Sequence, residues 1–218
     1  MSIGRELPPS IELARIRATE EYIRKAFHEK AEVINYDLGY ISVPFVNQLI
    51  DLELQGFAGD LIVHHYRNKE TKVDKVIQIP LSGNPLATTV AERLNTPLIP
   101  GRKGKVIPNS WGNPIVIEEA IPSFTTGEMS TFVFNGLEVG DKVILIDDVI
   151  ANGYTSGLIV KSLREKGIEV VGLAVYFAKL FQPGVNKVRE ETGIDPFFVV
   201  GIDEITQESG IVLSPPHF

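Results

Sequence analysis

The 218-residue chain contains no cysteine. That absence excludes a disulfide framework, a zinc ribbon and a cysteine nucleophile. Basic charge is also short, with 21 Lys and Arg against 28 Asp and Glu, a formal net charge of −7. Such a balance argues against general nucleic-acid binding. Long apolar runs are missing too. The longest candidate, Val170 to Ala178, is strand-length and contains Gly172, well short of the ~18 residues that a membrane span requires. The opening residues Met1 to Glu6 hold no apolar core of an export signal. What is present is a 44% hydrophobic composition, too apolar for a disordered chain. The length suits one domain, or one with a small annex. The expectation is a soluble cytoplasmic globular protein with neither nucleic acid nor membrane as a partner.

Periodicity sketches the organisation. Ser10 is placed as the N-cap of an amphipathic surface helix carrying Ile11, Ile16, Ile23 and Phe27. Residues 33–45 read as extended and broken by Gly39 and Pro44, and a second helix is expected from Pro44 through Leu54. Asp60 to Tyr66 fits either helix or strand. Val73 to Ile79 reads as a strand, Leu86 to Leu94 as a helix and Thr96 to Pro100 as a short strand. Residues 106–136 form a long Pro/Gly/Ser/Thr-rich excursion with β-prone islands at Ile115–Ile117 and Thr131–Phe134. Val143–Ile146 and Val170–Phe177 read as strands buried on both faces, separated by a helix that ends near Gly167. Another strand follows Pro196. Strand–helix–strand order predicts an α/β fold with a mainly parallel sheet.

The chemistry concentrates in Val143-Ile144-Leu145-Ile146-Asp147-Asp148 and the loop that follows, through Ser156. An apolar strand delivers two carboxylates to its C-terminal end, where ligands bind in open α/β sheets. A small-residue loop then leads into a helix, whose N–H groups suit a phosphate. The acids can accept from hydroxyls or hold a divalent cation beside the phosphate. Acids next to an anion cradle imply a ligand with both sugar hydroxyls and a phosphate. Smaller features read as structure. Adjacent His64 and His65 point apart and are placed at the surface, and Trp111 packs under its own loop.

Ile144 to Ser156 resembles the phosphoribosyl-pyrophosphate signature of type I phosphoribosyltransferases. The order of Ser82-Gly83, the helix to Leu94, Thr96-Pro97 and Gly101-Arg102-Lys103-Gly104-Lys105 is similar to the same family. Ala178 to Gly184, Phe45-Val46-Asn47-Gln48 with Ile50-Asp51, and Asn152 resemble bacterial xanthine phosphoribosyltransferases most. The resemblance runs from about Gly39 to Val212. It implies the family's α/β fold, with an N-terminal helical extension over residues 1–35. A hood would come from residues 36–55 and the C-terminal segment, and a mobile loop from residues 104–136.

The resemblance also implies roles. Ala151, Asn152, Gly153, Tyr154, Thr155 and Ser156 would bind the 5-phosphate. Asp147 and Asp148 would be catalytic, holding the ribose hydroxyls and, indirectly through the ligand, Mg²⁺. Leu81, Ser82 and Gly83 would cradle pyrophosphate, with a cis bond at Leu81-Ser82. Arg102, Lys103 and Lys105 would neutralise pyrophosphate, a segment that in this family often reaches across a homodimer. Lys179, Asn47 and Tyr40 would contact a purine base. Three positions depart from the family pattern: Tyr154 stands where Gly is usual, Pro80 where an acid is common, and Pro85 is displaced relative to the usual loop. The activity implied is transfer of phosphoribosyl from its pyrophosphate to xanthine, or to guanine or hypoxanthine. A non-catalytic purine-sensing regulator of this fold, or an enzyme for adenine or orotate, are the alternatives.

Overall fold

A computed structural model of the chain describes residues 9–80, 82–104, 114–118 and 131–218. Helix α1 (Pro9–Lys30) leads to a hairpin, β1 (Glu32–Asn35) and β2 (Tyr40–Ser42), then to helices α2 (Pro44–Asn47) and α3 (Leu52–Asn68). Strand β3 (Lys75–Gln78), helix α4 (Asn84–Leu94) and β4 (Leu98–Pro100) form the first strand–helix–strand unit. Three short strands follow, β5 (Arg102–Lys103), β6 (Ile115–Glu118) and β7 (Thr131–Phe134). Then come β8 (Lys142–Ile150), α5 (Tyr154–Glu165), β9 (Glu169–Lys179), α6 (Gly184–Thr192), β10 (Phe197–Thr206) and β11 (Gly210–Leu213).

Among the described residues the central sheet has the order β11-β10-β9-β8-β3-β4. Its pairs are parallel except for the β10–β11 edge. The run Val143–Ile146 shows why. Ile144 and Ile146 enter a core with Tyr66 and Tyr176 on one face, while Val143 and Leu145 enter another with Leu163 and Leu173. All four are fully buried. A strand covered on both faces must be apolar at every position, and α3 and α4 on one side and α5 on the other provide the cover.

Helix α1 is built into the first core through Ile16, Ile23 and Phe27. Its buried Glu20 accepts from the backbone N–H groups of His217 and Phe218 at 2.6 and 3.0 Å, tying the last residues to this helix. A buried carboxylate needs such donors, because desolvation without them costs several kcal/mol. No helix among the described residues is long and apolar enough to cross a membrane.

Several boundaries differ from the sequence reading. α1 starts at Pro9, so Ser10 lies inside the helix rather than capping it. The helix expected over residues 44–54 is two, because Gln48–Asp51 break the backbone and Asp51 caps α3 by accepting from the Leu54 N–H at 3.2 Å. Asp60–Tyr66 is helical. The β6 and β7 islands pair antiparallel, and β5 joins them in a three-stranded sheet, so the basic segment starts on a strand. Helix α6 and strand β11 lack the long apolar periodicity that would have announced them. Trp111 lies outside the described residues.

His65 is also not a surface group. Its ring stacks on Phe197 with centroids 4.2 Å apart. Burial first, then the charges of Lys69 and His217, push its pKa down to about 4. The unfolded chain should titrate near ~6.5, so between these values the unfolded state binds more protons than the folded one. This contribution to stability is full above ~6.5 and is lost as pH falls toward 4. His65→Phe keeps the stack and removes the titration. Melting midpoints followed from neutral to acid pH should therefore fall less in this variant than in the wild type. Parallel profiles would contradict the assignment.

Candidate active site

Strand order places the site. From β3 the chain moves outward to β4, while from β8 it moves the other way to β9 and β10. The direction of winding switches between β3 and β8, which is where a crevice opens at the strand C-termini. Pairing between these two strands ends at Gln78 opposite Ile146. β8 continues to Ile150, still paired with β9. Asp147 and Asp148 therefore lie within a strand that has lost its partner on one edge. This corrects the sequence reading, in which the strand ended at Ile146 and a loop began at the acids.

The two carboxylates are held differently. Asp148 Oδ2 accepts from Asn47 Nδ2 at 2.9 Å. Asp147 Oδ1 accepts from the Asp148 backbone N–H at 2.9 Å. By whole-residue exposure Asp148 is the more buried, yet the Asp147 carboxyl is the one held well above the usual carboxylate range. Burial of that group is the main cause and the charge of Asp148 the second.

The loop after the acids is shorter than the sequence suggested. Only Ala151–Gly153 separate β8 from α5, so Tyr154, Thr155 and Ser156 form the first turn of the helix. Gly153 is the N-cap with φ +71°, a left-handed conformation that favours glycine, and it brings no side chain of its own to cap the helix. Asn152 Oδ1 accepts from the Tyr154 N–H at 2.9 Å. The N-terminus of an α-helix presents its remaining N–H groups to an anion.

A cavity of about 210 Å³ collects these parts. Asp147, Asp148 and Ala151 to Ser156 line it, with Ser82 and Lys103. Lys103 lies 5.6 Å from the centroid of the Phe132 ring, so the short β5–β7 pairing carries a cation to the cavity of its own chain. Arg102 instead donates to Asn135 Oδ1 at 3.0 Å and does not line the cavity. Gly83 is absent from the lining as well. It backs the site: a Cβ there would come 2.8 Å from Asp147 Cα. Leu81, with its proposed cis bond to Ser82, and Lys105 lie outside the described residues. Pro80, Phe132, Val149 and Ile150 also line the cavity. Pro80 already stood out as a departure from the family pattern, but Phe132, Val149 and Ile150 carry no chemical signal in a sequence, and only the fold reveals them as walls.

Of the three residues expected at a base, Lys179 lies by Tyr40 while Asn47 is tied to Asp148, and none of them lines the cavity. Asn47 reaches Asp148 as described. Lys179 Nζ donates to Gly39 O at 2.8 Å and lies 5.9 Å from the Tyr40 ring centroid. Burial pushes the Lys179 pKa down. Asn47 Oδ1 is buried and has no hydrogen-bond partner among the described residues.

An acid pair at a switch point, the N-terminus of α5 and Lys103 share one crevice of an α/β protein, an arrangement suited to a phosphorylated ligand. The comparisons carry this further. No protein-family model matches the chain. It is 32% identical over 166 residues to a xanthine phosphoribosyltransferase of Lactococcus lactis subsp. cremoris, covering 75% of this chain and 81% of that protein. It is 29% identical over 154 residues to a hypoxanthine/guanine phosphoribosyltransferase of Methanococcus voltae, covering 71% and 76%. Its fold matches adenine phosphoribosyltransferase of Trypanosoma brucei, solved with AMP, pyrophosphate and ribose-5-phosphate, at TM-score 0.68 and 21% identity over 86% and 83% of the chains. The chain belongs to the type I phosphoribosyltransferase family and is an enzyme of that class.

The contact behind Asp147 is open to test. Gly83→Ala must push α4 away from β8, an overpacking that costs ~1–3 kcal/mol. The melting midpoint should drop by roughly 2–12 °C. A midpoint unchanged by the substitution would contradict the close approach.

Proposed function

We propose that the chain transfers phosphoribosyl from phosphoribosyl pyrophosphate to a 6-oxopurine, giving the nucleoside monophosphate and pyrophosphate in purine salvage. One observation supports this above others: the carboxylate pair and the start of α5 share one cavity at the switch point. In this reading the N–H groups and hydroxyls of residues 151–156 hold the 5-phosphate. Asp147 and Asp148 accept from the ribose 2- and 3-hydroxyls. Ser82 and the 81–83 turn hold pyrophosphate, and Lys103, helped by Arg102 and Lys105, neutralises it.

The C1–O bond to pyrophosphate breaks and its electron pair leaves with that group. The base nitrogen donates its own pair to C1 and gives up its proton to the departing pyrophosphate or to water. The positive charge that builds on the sugar lies near the acids, and the negative charge on pyrophosphate lies near Lys103. No cluster of three potential ligands occurs among the described residues, and two adjacent carboxylates fit Mg²⁺, which is usually held by one or two acids together with substrate phosphates. Mg²⁺ held through Asp147, Asp148 and the ligand would neutralise the leaving pyrophosphate.

Lys179 favours the oxo base. An ammonium only donates, and it has three N–H groups, one of which goes to Gly39 O. The others suit a carbonyl at the purine 6-position and not the amine of adenine. The family resemblance also supports a cytoplasmic homodimer as the working form.

A panel of bases tests the assignment. Turnover with xanthine, guanine or hypoxanthine is expected, and exclusive turnover of adenine or orotate would refute it. Binding of phosphoribosyl pyrophosphate with no turnover of any base would point to a regulator. Replacing Asp147 and Asp148 together by Asn should abolish turnover while the melting midpoint holds or rises, because it removes two like charges from a desolvated strand. Wild-type activity in that variant would sink the role given to the acids. Lys179→Ala should raise KM for the base roughly tenfold or more, and KM for phosphoribosyl pyrophosphate much less. Equal changes in both would count against base contact.

A further inference from the structure

We propose that Gly184, at the start of α6, is a positioning residue for the phosphate loop, a role that rests on the sugar-phosphate reading of residues 151–156. Gly184 does not line the cavity. It packs directly behind the loop, backbone against backbone. A Cβ on Gly184 would come 2.2 Å from Ala151 O and 2.7 Å from Gly153 N. The reverse also holds: a Cβ on Gly153 would come 2.5 Å from Gly184 O and 2.9 Å from Gly184 Cα. Both glycines are buried. The turns that follow two neighbouring parallel strands, β8 and β9, therefore touch with no side chain between them.

One hydrogen bond gives this contact a direction. Gly184 N–H donates to Ala151 O at 2.9 Å. The peptide that joins Ala151 to Asn152 is planar, and in a trans peptide the C=O and the next N–H point opposite ways. Holding the Ala151 carbonyl toward α6 turns the Asn152 N–H away from α6, and Asn152 itself lines the cavity. A second contact comes from the same helix, where Lys187 Nζ lies 5.4 Å from the centroid of the Tyr154 ring. Gly184 thus presets the orientation of a loop N–H without touching the ligand. A larger residue would force the loop forward, and misplacement by about 1 Å in a binding site can cost on the order of 10²-fold.

Steady-state kinetics separate this role from plain stability. Gly184→Ala should raise KM for phosphoribosyl pyrophosphate roughly tenfold or more while KM for the base stays within about twofold. Gly56→Ala on α3, where a Cβ meets only Arg93 Nη2 at 3.9 Å, should leave both unchanged. If Gly184→Ala leaves KM for phosphoribosyl pyrophosphate unchanged, or moves both KM values together, the proposal is overturned. A second measurement needs only the wild-type protein. Saturating ribose 5-phosphate should slow amide exchange at Gly184 along with residues 152–156, because ordering the loop tightens the bond that Gly184 donates. Slowed exchange in the loop with none at Gly184 would overturn the positioning role. A loop that does not respond at all would instead refute the phosphate-loop reading on which it rests.

Discussion

Two carboxylates sit side by side on one strand of a sheet that is apolar on both faces. Left alone, this is an unfavourable arrangement, since burial and like charge both oppose ionisation of Asp147. The surrounding structure is organised around it. β3 stops at Gln78, which frees one edge of β8. Gly83 lets α4 lie against the Asp147 backbone. Asn47 brings a donor from α2 to Asp148. A hydroxyl donor or a cation bound beside Asp147 would relieve that penalty by favouring the ionised carboxylate.

The same arrangement explains how the chain's charge is used. Its −7 balance says nothing local, yet Lys103, Lys179 and Lys187 all lie close to the acidic strand end or its loop. Each is held by a specific neighbour: Lys103 over Phe132, Lys179 on the Gly39 carbonyl and Lys187 over Tyr154. Aromatic faces and backbone carbonyls hold cations without neutralising them. The net charge thus disfavours polyanions, while positive groups remain concentrated near this strand end.

Much of the fold was legible because its signals are local. The continuous apolar run of β8, the small residues after it and Gly167 at the end of α5 are readable without knowing what they pack against. The parts that were misread depend on contacts distant in sequence. Strand β8 runs through its acids because β9 continues to pair with it, as in Val149 with Phe177 and Ile150 with Ala178. His65 is half-buried and stacked because Phe197, far along the chain, lies against it. Helix α6 is short and mostly polar, and it forms where β9 and β10 leave a crossover to be filled.

The sequence by itself determined the α/β class, the acid pair, the small-residue loop and the residue types able to handle a sugar phosphate. These follow from composition and spacing, which are properties of neighbours along the chain. Only the tertiary structure decided which cation faces the acids, that Asn47 is tied to Asp148, and that Gly153 and Gly184 meet backbone to backbone. Those facts arise where strands far apart in sequence end side by side. Neither periodicity nor motif spacing records how closely two such ends approach.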